Sequence, residues 1–222
     1  MRAAIRTHLL EDEAQMRFIG SHQSVQAMAL FYGLCDSEDE YRRAFETLLR
    51  LIHEKDDHIG TGVLGARVIF RVLCDNVYSD LAIKMITRPD EPSYGCMIEH
   101  GMTTLCERIT MPFDLQNHHF WGDISALMIE YFAGIRINPE LRGANTAAIA
   151  PVFPESLTYA EAYHNSICGR ISVRWDKCNG EIELSLTIPD GMDASVIAPT
   201  GYTVNGASTV NAVSGTYVFQ KI

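Results

Sequence analysis

Carboxyl groups can carry protons to and from a reacting oxygen, and residues 91–123 (EPSYGCMIEHGMTTLCERITMPFDLQNHHFWGD) gather several. Glu107 lies near the middle, with the adjacent His118 and His119 and the rings of Tyr94 and Trp121 around it in sequence. A carboxylate can act as acid or base, a histidine can hold a hydroxyl, and a flat ring can cover the apolar side of a small ligand. Pro92, Gly95, Gly101 and Pro112 interrupt the stretch, so it should form turns and short pieces. Functional groups are often carried on such segments and held by rigid neighbours.

By residue type alone, Glu107 is a solvated glutamate or a partner of Arg108. Adjacent histidines do not converge on one ion as i, i+4 pairs do, and no H-E-x-x-H pattern accompanies them, so no metal is implied. His118 is expected to face a pocket and His119 to pack. Trp121 is expected in the core. Met97, Met102 and Met111 read as gap-filling core residues. The sequence has no GxGxxG, P-loop or nucleophile elbow, and no residue pattern calls for a cofactor.

The frame around this stretch begins with helices. Residues 2–15 can form one, although Ala3, Ala4, Leu9 and Leu10 make a weak apolar face. In residues 22–34, Val25, Met28, Ala29 and Tyr32 recur at helical spacing; Ser21 is placed to cap and Gly33 to end the helix. Ser37 and Glu40 have the spacing of a capping box, ahead of Tyr41, Phe45, Leu48, Leu49 and Ile52. Thr61 is placed to cap a helix that buries Val68, Ile69, Val72 and Leu73, and Ser79 opens another that closes at Arg88-Pro89. Residues 124–135 are apolar almost all round, which predicts a buried helix capped by Asp123. Short amphipathic helices in succession predict a paired helical layer.

At Asn138 the pattern changes. After a connector (NPELRGANTAA), residues 170–175 and 181–188 alternate with a period of two. Asn179-Gly180 between them is a strong hairpin signal, because both central residues of a type I′ turn need positive φ. ASVIAP, GYTV and GTYVFQ continue the β pattern, which predicts a small antiparallel sandwich.

Composition narrows the partners. The 222 residues carry a net charge of −10, with no basic run. Nucleic acid is therefore disfavoured, whereas a neutral small molecule is not. No apolar run is long enough for a bilayer, and residues 1–13 lack the apolar region of a signal peptide, which points to the cytoplasm. The six cysteines include no CxxC pair and read as reduced thiols, with a Cys168–Cys178 bridge left open across a hairpin.

The order and spacing of GSHQSVQAMALFYGL, HIGTGVLGARVIFRVL, SDLAIKMI, PSYG, TTLCE, NHHFWGDIS and GRISVRW resemble bacterial α-L-rhamnosidases of glycoside hydrolase family 78. The resemblance implies an α+β chain: part of an (α/α) six-hairpin toroid over residues 1–137, then a C-terminal β-sandwich over 138–222. It implies an inverting hydrolase of rhamnose-containing glycosides. Glu107 in TTLCE matches the general base, His118 a histidine that contacts the sugar, and Tyr94 an aromatic, commonly Trp, that lies against it. Cys106 stands where the family usually has Trp before the base. The family's general acid lies in an earlier part of the toroid, and no stretch before Glu91 matches it. The chain is therefore expected to have little activity alone and to self-associate through helix faces that further hairpins would cover. The alternative is a non-catalytic carbohydrate-binding or structural remnant.

Overall fold

The structure is a computed structural model, and it describes residues 1–137, 143 and 145–222. Two compact units divide at Met1–Asp123 and Ile124–Ile222. The domain boundary expected at 137/138 adjoins residues 138–142, which lie outside the described residues, as does most of the connector.

The first unit is helical. Helix α1 (Arg2–Leu9) stops where β1 (Leu10–Asp12) begins, and β1 pairs with β2 (Arg17–Phe18). The helix that 2–15 could form is therefore cut at Leu9, and Met16, at φ 50°, lies in the turn that brings the chain back.

Helix α2 (Gln23–Phe31) starts later than expected and turns a different face inward. Ser21 does not cap it; its hydroxyl accepts from Arg17, and His22 holds the cap position. Ala29 is buried as expected, but so are Gln23, Gln26, Ala27 and Leu30, whereas Tyr32 is exposed. Buried amides need partners. Gln26 donates to the carbonyls of Met16 and Ala44, both at 2.9 Å, and accepts from the Phe18 N–H at 3.2 Å. Gln23 donates to His58 O at 3.1 Å and Leu51 O at 3.3 Å, and accepts from Gly60 N at 2.7 Å. Two glutamines thus join α2 to backbone groups of the preceding turn, of α3 and of the loop after it.

Helix α3 (Glu38–His53) begins at the expected Ser37, whose hydroxyl accepts from Glu40 N at 3.2 Å. The reciprocal half differs from a standard capping box. Glu40 accepts from Asp36 N at 2.6 Å rather than from Ser37, and pairs with both terminal nitrogens of Arg6. These bonds, Arg6 first, hold the Glu40 carboxyl down at about 2. Helix α4 (Val63–Asp75) has Gly62 at its cap; the Thr61 hydroxyl does not cap and has no partner among the described residues. Gly65 lets α4 approach α2 closely, since a Cβ there would stand 2.6 Å from Ser24 Oγ. Val68, Ile69, Val72 and Leu73 are buried as expected. Helices α5 (Ser79–Thr87) and α6 (Tyr94–Glu99) follow.

The helix expected over 124–135 is shorter. Helix α7 (Asp123–Leu127) passes into a π-turn (Met128–Phe132), and Gly134, at φ 86°, reverses the chain. A Cβ at Gly134 would lie 2.3 Å from Pro151 N, so the reversal needs glycine for space as well as for its backbone angle.

The second unit holds β3 (Ile135–Arg136), β4 (Thr146–Ile149), β5 (Tyr159–Ser166), β6 (Gly169–Cys178), β7 (Glu181–Thr187), β8 (Asp193–Ile197), β9 (Tyr202–Val204), β10 (Thr209–Asn211) and β11 (Gly215–Lys221). Two sheets form, in the orders β10-β8-β4-β3 and β5-β6-β7-β11-β9. Pairing is antiparallel except between β4 and β8, which run parallel. Asn179 and Gly180 turn β6 into β7 at φ 51° and 86°, the signs a type I′ turn requires. Ile171, Val173 and Trp175 alternate into a core shared with Leu184, Ile149, Val196 and Phe219. The Trp175 indole N–H donates to Phe132 O at 2.6 Å. All six cysteines, Cys168 and Cys178 included, are free thiols.

Candidate active site

Residues 91–123 form short pieces, as their breakers predict. Ser93 anchors the first: its hydroxyl donates to Arg88 O at 2.6 Å and accepts from Cys96 N at 2.9 Å at the start of α6. Gly95 follows, and a Cβ there would stand 2.4 Å from Arg88 O, so only glycine allows α6 to pass this close to the end of α5. The Glu91 carboxylate accepts from Met111 N and ties the stretch across its middle.

Glu107 is carried on an irregular hairpin. Cys106 and Gln116 form an antiparallel bridge, Glu107 N donates to Leu115 O at 3.2 Å, and His118 N donates to Leu105 O at 2.7 Å. Asn117 N donates to Thr104 Oγ1 at 3.1 Å, and Leu115 and Asn117 take positive φ to make this pairing fit. This pairing places Glu107 and His118 on the two strands of one small element. Cys106 is fully buried and Glu107 is exposed. Among the described residues, no hydrogen bond or ion pair engages the Glu107 carboxylate, so it is free to meet water or a ligand.

Trp121 fixes the backbone beneath this carboxylate. Its indole N–H donates to Glu107 O at 2.8 Å. Tyr94 supports Trp121 in turn, with its hydroxyl donating to Trp121 O at 3.2 Å and the two rings edge to face at 6.0 Å. Trp121 is buried as expected, but its polar edge has a task that its residue type did not disclose. Tyr94, at 8% exposure, has little ring surface to offer a sugar; burial pushes its phenol pKa up, with Asp123 adding to the effect. It lies against Trp121. Asp123 does not cap α7 but pairs with Arg71 at 2.5 Å and Arg67 at 3.6 Å, tying the end of the stretch to α4.

His118 is half-buried, and its Nδ1 is buried without a partner among the described residues. His119, expected to pack, is the more exposed of the two and stacks on His118 at 6.4 Å between centroids. Phe120, edge-on to His118 at 4.8 Å, is 55% exposed. Sequence reasoning passed over this ring, although its position directly after the histidine pair was a signal. Among the described residues no group of three or more His, Cys, Asp or Glu could hold a metal ion, and no helix is long and apolar enough to cross a membrane.

The geometry is that of an exposed carboxylate braced from behind, with a histidine on the same hairpin and an open ring in the 3-10 turn that follows it. Residues 1–132 match the model of the bacterial α-L-rhamnosidase six-hairpin glycosidase domain, and residues 134–212 that of the bacterial α-L-rhamnosidase C-terminal domain. The chain belongs to the bacterial α-L-rhamnosidase family. An α-L-rhamnosidase of Streptomyces avermitilis is 28% identical over 98% of this chain, and one of an Alteromonas species is 26% identical over 99%. The chain spans 21% and 26% of the length of these relatives. The crystal structure of the S. avermitilis α-L-rhamnosidase complexed with L-rhamnose is similar over 98% of this chain and 23% of that one, with a TM-score of 0.83 and 26% identity. Helices followed by a β-rich C-terminal domain, in a member of this family, agree with the fold expected from the sequence.

Proposed function

We propose that this chain is the C-terminal portion of an inverting α-L-rhamnosidase-like hydrolase, with Glu107 as its general base. Inversion needs a base to activate water and an acid to protonate the leaving oxygen, about 6.5–9.5 Å apart. The acid is proposed to come from outside these 222 residues, in keeping with the chain's short span of its relatives. His118 would hold a rhamnose hydroxyl from its half-buried ring. Phe120 would offer the ring face expected of Tyr94, and Tyr94 would act through Trp121 on the backbone of Glu107. The observation that carries this reading is the free, exposed Glu107 carboxylate on the hairpin it shares with His118.

Loss of one member of an acid/base pair costs about 10²–10⁴-fold in rate. The chain alone is therefore expected to hydrolyse aryl α-L-rhamnosides at least about a hundredfold more slowly than a full-length relative. Calorimetric titration with L-rhamnose should detect weak binding that His118→Ala abolishes. Turnover at the rate of a full-length relative, or binding unchanged in His118→Ala, would refute the assignment.

A non-catalytic carbohydrate-binding remnant is the second reading, favoured by the chain's short span of its relatives. It retains L-rhamnose binding but predicts no hydrolysis when the chain is supplied with the missing part of a relative. We also infer self-association through exposed apolar side chains of the helical unit, among them Phe31, Leu64 and Ile98. Sedimentation at micromolar concentration should show a species larger than the monomer.

A further inference from the structure

The outer face of the five-stranded sheet repeats one side-chain arrangement. Tyr159 and Tyr163 lie four residues apart on β5 and so point to the same side. Tyr159 is opposite Asp176 and Tyr163 opposite Ser172 on β6. In each case the residue two positions earlier on β6 lays a guanidinium over the ring: Arg174 at 4.7 Å from the Tyr159 centroid and Arg170 at 4.1 Å from that of Tyr163. Arg174 is itself held by Asp176, at 2.6 and 2.8 Å, and by Glu161 at 2.9 Å; Arg170 bonds Asn165 at 3.2 Å. A guanidinium covers one face of each ring, yet Tyr159 and Tyr163 are 54% and 56% exposed, which leaves the second face open.

We propose that this row is a binding platform for a neutral polysaccharide lying along β5. Two exposed rings, each backed by a guanidinium, can stack on the C–H faces of sugar rings. Four residues of strand separate them by about 13 Å, which suits an oligosaccharide better than a single sugar. Because β5 is the edge strand of its sheet among the described residues, backbone N–H and C=O groups that do not pair with β6 lie beside the rings for hydroxyls. Charge selects the class of ligand. Glu161 and Asp176 balance Arg170 and Arg174, so the row is neutral on a chain of net charge −10, and a polyanion gains nothing there. A protein partner is a poorer fit, since two rings fall far short of the roughly 800 Å² per side that a stable interface buries. The platform lies within the β unit and does not depend on the role given to Glu107.

Native gels containing hydroxyethyl cellulose, galactomannan, arabinoxylan or polygalacturonate test this with the full chain. Retardation is expected on at least one of the three neutral polymers. Tyr159→Ala and Tyr163→Ala should each weaken it about two- to tenfold, and together abolish it, whereas the Phe variants should keep it. No retardation on any neutral polymer, retardation on polygalacturonate alone, or full retardation of a double alanine variant that melts normally would each overturn the proposal. If the double variant does not fold, single alanine variants retarded as strongly as the unsubstituted chain would do so.

Discussion

The β unit and the helical unit hold themselves together in different ways. In the β unit, alternating residues of β6 and β7 enter one apolar core, and the same contact type repeats along each strand. In the helical unit, single polar groups fix places that no repeat could fix: Gln26 on three backbone groups, Glu40 on Arg6, and Trp121 on Glu107 O. A repeated apolar contact tolerates a change in any one member to the extent that neighbours can relax. A unique polar anchor leaves defined groups unsatisfied when it is lost. The candidate site belongs to the second kind, which suits a carboxylate that must be placed rather than merely buried.

Four substitutions can break or sharpen this contrast. The largest effect is expected from Trp175→Ala, which empties the centre of the β core and should cost about 4 kcal/mol in chemical denaturation. Gln26→Leu keeps the volume of the side chain but removes its bonds to Met16 O, Phe18 N and the already helix-bonded Ala44 O; about 2 kcal/mol is expected. A cost below about 1 kcal/mol would show that the helical unit is held by its apolar contacts after all. Ser37→Ala removes the cap of α3 and should cost about 1 kcal/mol. Trp121→Phe keeps a ring but loses the bond to Glu107 O; about 1 kcal/mol of stability should go, and L-rhamnose binding should fall with it.

Acid offers a test without a core substitution. Glu40 is held at about 2 in the folded chain and rises to roughly 4.3 when unfolded. Its contribution is fully present above about pH 4.3 and is lost as the pH falls toward 2. Melting temperature should drop across that window, and Glu40→Gln should flatten the drop. An unchanged profile in the variant would remove Glu40 from the set of anchors.

This division also explains which parts were legible in the sequence. Period and turn chemistry disclosed α3, α4, β6, β7 and the Asn179-Gly180 turn, because each rests on local rules. The inward face of α2 was misread because Gln23 and Gln26 look like surface residues. Only carbonyls and N–H groups distant in sequence make them core residues. Strand β5 was missed because its outward Tyr159, Glu161 and Tyr163 and its exposed His164 and Asn165 give no clean apolar alternation. In the site, Glu107 and His118 entered through a resemblance, but the bracing by Trp121 did not, since an indole N–H does not announce which carbonyl it will find. Tyr94 was an aromatic in the right neighbourhood, and only packing could show that its ring turns inward.

The parallel pairing of β4 with β8 has a consequence for the order in which the chain can mature. An antiparallel neighbour can be supplied by a short turn, but a parallel one must wait for a long excursion of the backbone. As the polypeptide leaves the ribosome, Thr146–Ile149 has β3 on one side and nothing on the other until Asp193–Ile197 has been synthesised. The hairpin of β6 and β7 can close in the meantime, so the larger sheet is begun before the smaller one gains β8, although only β11, the last strand of the chain, completes it. Translation that stalls between Thr187 and Asp193 would leave a nascent chain with one sheet begun and a bare strand edge, the state most open to capture by a chaperone or by a neighbouring chain.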